Sequence, residues 1–246
     1  MSTPRARIVI SNDDGIDAAG IRTLDQLMSE WCDCRLVAPD GARSGVGHAV
    51  SDASDLRVEY RASGNIAVAG TPADCARLAL APGSPLLESW GETRRARECW
   101  LVAGINHGAN LGVDLYISGT AAAAREAAIL GFPAIAISHY VGRHRKVDWA
   151  EATLRARPVL EQLLERPPAP GAFWNVNLPH PAPGTGPCEI VFCPPDPSPQ
   201  PVQYAGSSAA FRYSGDYHAR PRLPGHDVDV CFRGAISVSE IPLFAG

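Results

Sequence analysis

The amino-acid sequence predicts an α/β protein: a Rossmann-like, mostly parallel sheet flanked by helices, with an extended C-terminal β appendage. Three observations predict it. Over about the first 140 residues, short apolar runs alternate with stretches of helical periodicity. Each apolar run passes into a glycine-bearing loop and then a helix, the repeat of a parallel sheet covered on both faces. The chain, 246 residues and 46% hydrophobic, is long enough to bury a sizeable core.

The first strand is Ile8 to Ser11, ending in Asn12-Asp13-Asp14-Gly15. A helix from Ala19 to about Trp31 follows, with Ile21, Leu24, Leu27 and Met28 spaced for one buried face. Arg35 to Ala38 is a second strand, stopped by Pro39. Thr71-Pro72 opens a helix through Leu80, since threonine caps and proline fits the first helical position. Trp100 to Ala103 is a third strand, Ser118 to Leu130 an alanine-rich helix stopped by Gly131, and Ala134 to Ser138 a fourth strand. A helix from Asp148 to Leu164 shows a stripe through Trp149, Leu154, Leu160 and Leu164. Beyond it, the proline-dense connectors Pro167 to Gly171 and Pro194 to Pro201 cannot continue a helix. They bound strand candidates at Phe173 to Leu178, Cys188 to Cys193, Val228 to Phe232 and Ala235 to Val238. The division expected is a catalytic core over 1–166. The segment 167–246 is expected to be β-rich, partly completing the core and partly mediating oligomerisation.

Composition removes several function classes. With 22 basic against 26 acidic side chains, binding a nucleic-acid polymer or a membrane surface by bulk electrostatics is not expected. No apolar run approaches the roughly 20 residues needed to cross a bilayer. Met1 to Arg7 lacks the features of a secretory signal, so a cytoplasmic location is expected. Seven cysteines, an odd number with no Cys-x-x-Cys spacing, read as reduced thiols and not as a disulfide framework. Lys146 is the only lysine, which removes lysine-nucleophile chemistry from most of the chain.

In an open α/β sheet, ligands bind at the carboxyl ends of the strands, so the loops there carry the chemistry. Asp13 and Asp14 place two adjacent carboxylates at a strand end, which calls for a cation such as Mg²⁺ or Mn²⁺; a solvated turn is the plainer alternative. The loop Pro39 to Gly47 offers backbone N–H groups and the Ser44 hydroxyl, without the Walker pattern. Gly104 to Gly112 brings the amides of Asn106 and Asn110, which suit a hard metal or a phosphate, or merely satisfy local turns. Ser118-Gly119-Thr120 opens a helix, an anion site or a simple cap. No nucleophile elbow or Cys/His pair accompanies them. A divalent metal beside a phosphate-shaped hole is the simplest chemistry using all four loops, and implies metal-assisted phosphoester hydrolysis.

Five ordered motifs closely resemble the SurE family, the stationary-phase survival nucleotidases. They are Ser11 to Gly15; Val37 to Asp40 with Arg43-Ser44-Gly45; Gly70 to Cys75; Gly104-Ile105-Asn106 with Gly108 and Asn110-Leu111-Gly112; and Tyr116 to Thr120 with Gly131 to Ala134. In the tail, Asn175 to Pro179 and Asp227 to Leu243 are similar to the family's later segments. The resemblance implies a phosphatase acting on nucleoside 5′- and 3′-monophosphates through metal-activated water, with one Mg²⁺ or Mn²⁺ per subunit. It implies Asp13, Asp14, Ser44 and Asn106 as metal ligands, with Asp13, Asp14 and Asn106 catalytic. Asn12, Asn110, Ser118, Gly119 and Thr120 would contact the phosphate. It further implies a homodimer or homotetramer formed through the C-terminal part. Three places depart from the pattern: Val46-Gly47-His48, His139-Tyr140, and Glu88 to Cys99, which carries no recognised motif. The alternatives are a phosphatase of sugar phosphates or polyphosphate and a silent nucleotide-binding protein. A dinucleotide-binding dehydrogenase is poorly served, because Asp13 and Asp14 stand where Gly-x-Gly-x-x-Gly belongs.

Overall fold

A computed structural model describes residues 6–84, 86–87, 99–182 and 185–244. The expected segment Glu88 to Cys99 therefore lies, but for its last residue, outside the described residues. The chain runs β1 (Arg7–Ser11), α1 (Ala19–Met28), β2 (Asp33–Pro39), β3 (Val58–Tyr60), β4 (Ile66–Val68), α2 (Pro72–Leu80) and β5 (Cys99–His107). It continues through α3 (Gly119–Ile129), β6 (Ala134–His139), α4 (Trp149–Leu164), β7 (Ala172–Leu178), β8 (Ile190–Phe192), β9 (Tyr204–Ser207) and β10 (Ala210–Tyr213). It closes with α5 (Asp227–Phe232) and β11 (Ile236–Pro242).

Nine strands form one sheet in the order β3-β4-β2-β1-β5-β6-β7-β11-β8. From β4 to β7 every neighbouring pair is parallel. The continuous apolar runs of β1 and β5 follow from burial on both faces. Ile8 and Ile10 face one core with Leu24, Leu27, Val159 and Leu160 from α1 and α4. Val9 and Leu101 face the other with Cys75, Ala79, Ala123 and Ala127 from α2 and α3. Each large side chain fully buried in these layers contributes about 1.5–3 kcal/mol. Among the described residues, no helix is long and apolar enough to cross a membrane.

Beyond residue 167, β7, β11 and β8 extend the main sheet, and β9 and β10 stand apart as a two-stranded ribbon. Val228 to Phe232, expected as a strand, is the helix α5. Its alternating Asp-Val-Asp-Val reads as period two over too few residues to distinguish the states. Asp227 and Asp229 in the first turn instead favour the helix start electrostatically. In α4, Leu154 is 68% exposed, and the buried stripe runs through Ala152, Ala156, Val159, Leu160 and Leu163. Pro158, inside α4, cannot bond the Leu154 carbonyl; the exposed side of the helix leaves that group to water. The short strands β3, β4, β9 and β10 were not anticipated from the sequence.

Gly20 marks the tightest approach of a helix to the sheet: a Cβ there would overlap the Ile105 carbonyl of β5. Gly20→Ala is expected to push α1 off β5 and cost about 1–3 kcal/mol. Urea denaturation followed by circular dichroism reads this; an unchanged midpoint would remove the argument.

Candidate functional site

The strand order reverses at β1, which has β2 on one side and β5 on the other. That reversal opens a crevice at the carboxyl ends of β1 and β5, the place where doubly wound sheets bind ligands. Asp13 and Asp14 follow β1 there, Asn106 is in the last residues of β5, and Ser44 is in the loop after β2. The Arg43 N–H donates to the Asp13 carbonyl at 2.7 Å, bringing Ser44 beside the acidic turn. The His107 N–H donates to Asp14 Oδ2 at 3.0 Å. The Thr120 hydroxyl at the start of α3 donates to Asp13 Oδ1 at 2.5 Å. Four separate loops thus meet at one carboxylate pair.

Asp13 is only 5% exposed. Burial pushes its pKa above the ordinary carboxylate value; the Thr120 bond opposes this, and the charge of Asp14 adds to it. α3 comes so close that a Cβ on Gly119 would lie 2.7 Å from Asp13 Cβ, so only glycine fits there. Neither aspartate forms an ion pair with a side chain among the described residues. Asp14 Oδ1 and Asn106 Oδ1 accept no hydrogen bond among them either, while Asn106 Nδ2 donates to the Gly108 carbonyl at 2.8 Å. Carboxylate and amide oxygens left facing a shared crevice fit a hard divalent cation. Asp13, Asp14 and Asn106 would hold it, with the exposed Ser44 hydroxyl within the same group of loops.

The residues expected at the phosphate fall into two groups. Ser118 and Gly119 form the N-terminus of α3; Ser118 Oγ caps it by accepting from the Ala121 N–H at 3.0 Å. Asn110 lies alongside, its Nδ2 donating to Ser138 Oγ at 2.8 Å. Asn12 and Thr120 are turned inward. Asn12 exchanges two hydrogen bonds with Gly15 and braces the acidic turn. Thr120 is fully buried and spends its hydroxyl proton on Asp13. The ring of His107 is exposed, and its place at the site is through its backbone. Thr71 and Asp74 form a capping box on α2, and Asp74 also holds both polar groups of Ser51.

Sequence reasoning missed three supports. Asn177 Oδ1 accepts the Asn110 N–H at 2.8 Å, and the amides of Asn175 and Asn177 both donate to the Asn110 carbonyl. Glu126, buried on α3, accepts from His48 Nε2 at 2.7 Å and from Arg77 Nε at 2.6 Å. Burial alone raises the Glu126 pKa, but these two bonds outweigh it and hold the carboxyl below its ordinary range. His48, one of the departures from the family pattern, thereby ties the Ser44 loop to α3. The third support, around Asp114, is described below.

An α/β fold with a pair of carboxylates and a helix N-terminus at its switch point is an arrangement suited to proteins that handle phosphate groups. The chain belongs to the family described as survival protein SurE, which matches over residues 8–193. It is 43% identical over 236 residues to a putative 5′-nucleotidase of Synechocystis sp., covering 95% of this chain and 98% of that one. It is 38% identical over 220 residues to a 5′/3′-nucleotidase SurE of Yersinia pseudotuberculosis, covering 81% and 78%. The fold matches the crystal structure of the SurE protein from Aquifex aeolicus with a TM-score of 0.80 at 25% identity, covering 98% of this chain and 94% of that one.

His139, at the end of β6, gives the fold an acid sensitivity. Burial lowers its pKa from 6.5 to about 4, against the opposing bond to the Tyr140 carbonyl. The unfolded chain therefore takes up this proton first, and stability is lost as pH falls from about 6.5 towards 4. At about 1.4 kcal/mol per pH unit the gap amounts to roughly 3 kcal/mol. His139→Gln is expected to flatten the fall in urea midpoint between pH 6.5 and 4.5; an equally steep fall in the variant would refute the assignment.

Proposed function

We propose that this protein is a divalent-metal-dependent phosphomonoesterase that hydrolyses nucleoside 5′- and 3′-monophosphates to nucleoside and phosphate. The observation that carries the reading is the buried Asp13 beside Asp14, without a side-chain cation among the described residues and directly under the N-terminus of α3. The names of the relatives supply the nucleotide.

Asp13, Asp14 and Asn106 would hold the cation, with Ser44 as a further oxygen. Bound Mg²⁺ or Mn²⁺ would supply Lewis acidity toward the phosphoryl oxygens and a nucleophilic water at neutral pH. The chain's own part is positioning. Thr120 fixes Asp13 and the His107 N–H fixes Asp14, so neither carboxylate has to reorganise as charge develops. The N-terminus of α3 at Ser118, Gly119 and Thr120, with Asn110, would receive the phosphoryl oxygens, its positive end favouring an anion while the Gly119 N–H steadies Asp13.

The reading includes self-association as a homodimer or homotetramer. The β9–β10 ribbon is exposed along its whole length, with Tyr204 at 64% and Phe211 at 70%. A two-stranded ribbon is marginal on its own, and an apolar one asks for a covering surface. A single monomeric mass in light scattering across micromolar concentrations would sink this part.

The central test is phosphate release from nucleoside 5′- and 3′-monophosphates, a sugar phosphate and tripolyphosphate, with Mg²⁺, Mn²⁺ or EDTA. Release from the nucleotides is expected, abolished by EDTA and lowered at least about a hundredfold in Asp13→Ala. Release only from the other phosphates would replace the substrate; none from folded protein would leave a silent binding protein. Thr120→Val is expected to raise the Mn²⁺ concentration for half-maximal activity by about tenfold, as loss of a ligand's supporting hydrogen bond does. An unchanged requirement would mean that Thr120 serves only packing.

A further inference from the structure

Midway between the two proposed phosphate contacts, Asn110 and Ser118, lies Asp114, whose carboxylate the chemistry above does not use. Its backbone already serves both sides: its N–H donates to the Leu111 carbonyl, and its carbonyl accepts the N–H groups of Ile117 and Ser118, each at 3.1 Å. Its side chain is 7% exposed and collects donors from far along the chain. Arg220 Nη1 reaches Oδ2 at 2.5 Å, the Tyr217 hydroxyl reaches Oδ2 at 3.0 Å, and Gln200 Nε2 reaches Oδ1 at 3.1 Å. The Arg220 side chain is itself only 3% exposed, and its guanidinium lies 5.1 Å over the Tyr217 ring.

These three donors share one position in the chain: Gln200 precedes the β9–β10 ribbon, and Tyr217 and Arg220 follow it. A second carboxylate repeats the arrangement. Asp227 Oδ2 accepts the Gly112 N–H, and its Oδ1 accepts the Asp196 N–H, both at 2.8 Å. The segment from Asn110 to Ser118 is therefore pinned from outside at Gly112 and at Asp114, in each case by the tail.

We infer that the buried Arg220–Asp114 pair, with Tyr217 and Gln200, is a clasp through which the C-terminal tail positions the phosphate-binding segment of the site. Arg220 is a positioning residue: it touches neither the carboxylate pair nor the helix N-terminus. A buried ion pair adds little net stability compared with apolar packing, but leaving one partner uncompensated is costly. Its consequence here is geometric, since a loop with two phosphate contacts is held in one register. Displacement of such contacts by an ångström is enough to weaken them by about tenfold to a hundredfold. Asp13 and Asp14, after β1, and Asn106, near the end of β5, share no hydrogen bond with the clasp among the described residues, so the two halves of the site are expected to respond separately.

The inference rests on the reading of Asn110 and Ser118 as phosphate contacts, and the experiment keeps the two apart. Orthophosphate is the probe, read by competitive inhibition of p-nitrophenyl phosphate hydrolysis and by its protection against thermal unfolding. In Arg220→Met the inhibition constant and KM are expected to rise about tenfold or more, while the Mn²⁺ concentration for half-maximal activity stays within about twofold. Arg220→Lys is expected to recover part of the loss. Should Arg220→Met fail to fold, Tyr217→Phe and Gln200→Leu each remove one contact and are expected to shift the phosphate constant about two- to threefold in the same direction. A lowered Tm with the phosphate constant unchanged, in Arg220→Met or in both milder variants, would make the clasp purely structural and overturn the inference. A wild-type protein that neither hydrolyses phosphoesters nor is protected by orthophosphate would overturn the reading of the site, and the clasp with it.

Discussion

Everything at the crevice is arranged around one unfavourable act, the burial of the Asp13 carboxyl at the end of the central strand. A carboxylate withdrawn from water costs several kcal/mol unless donors or a cation replace its hydration. The chain supplies the Thr120 hydroxyl and the backbone N–H groups of Asp13 and Gly119, and places a second carboxylate, Asp14, next door, which worsens the balance. Meanwhile α3 is pressed so close that Gly119 admits no side chain. Thr120 and Gly119 are adjacent in sequence because one helix start does both jobs: the Thr120 hydroxyl and the Gly119 N–H steady the carboxyl, and the bare Gly119 lets the helix come this close. The sheet has to be parallel at β1 and β5 for this to happen, since only then do the acidic turn, the β5 end and the start of α3 open on one side.

The two halves of the crevice are built differently. The acidic half is local: Asn12 closes the turn on Gly15, and the neighbouring backbones of Arg43 and His107 lock it in place. The anion half is held by parts of the chain that arrive last. Asn175 and Asn177 on β7 grip Asn110, Asp227 at α5 grips Gly112, and Arg220 grips Asp114. The C-terminal third thus completes the sheet and, from the same residues outward, fixes the loop from Asn110 to Ser118.

This difference explains what could be read from the sequence. The strand ends, the glycine loops and the helix starts announce themselves over a few residues, so α2 from Pro72 and the Asp13, Asp14 and Asn106 loops were legible. Thr120 reads from the sequence as a hydroxyl at a helix start, whereas its bond to a carboxylate 107 residues away has no local signature. Asp114 and Arg220, separated by 106 residues, were invisible for the same reason. Val228 to Phe232 misled in the opposite way, since the alternation from Asp227 to Val230 satisfies the strand period over four residues while the acidic first turn decides for helix. In α4 the expected stripe holds at Trp149, Leu160 and Leu164, which pack against the core, and fails at Leu154, which shares the exposed side of the helix with Pro158.

The same division bears on how such a crevice can change. A local turn of Asn12 to Gly15 tolerates little, because Asn12 closes it on Gly15 and the Arg43 and His107 N–H groups and the Thr120 hydroxyl hold its two aspartates. The anion side is secured by side chains from remote segments, so its register can move with substitutions in the tail that never touch a ligand. Around the Ser44 loop, His48 and Glu126 supply a third, independent attachment to α3. A scaffold in which the acidic centre is rigid by local bonding and the surrounding loops are set by distant partners keeps its chemistry fixed. It leaves the fit of the substrate to the periphery.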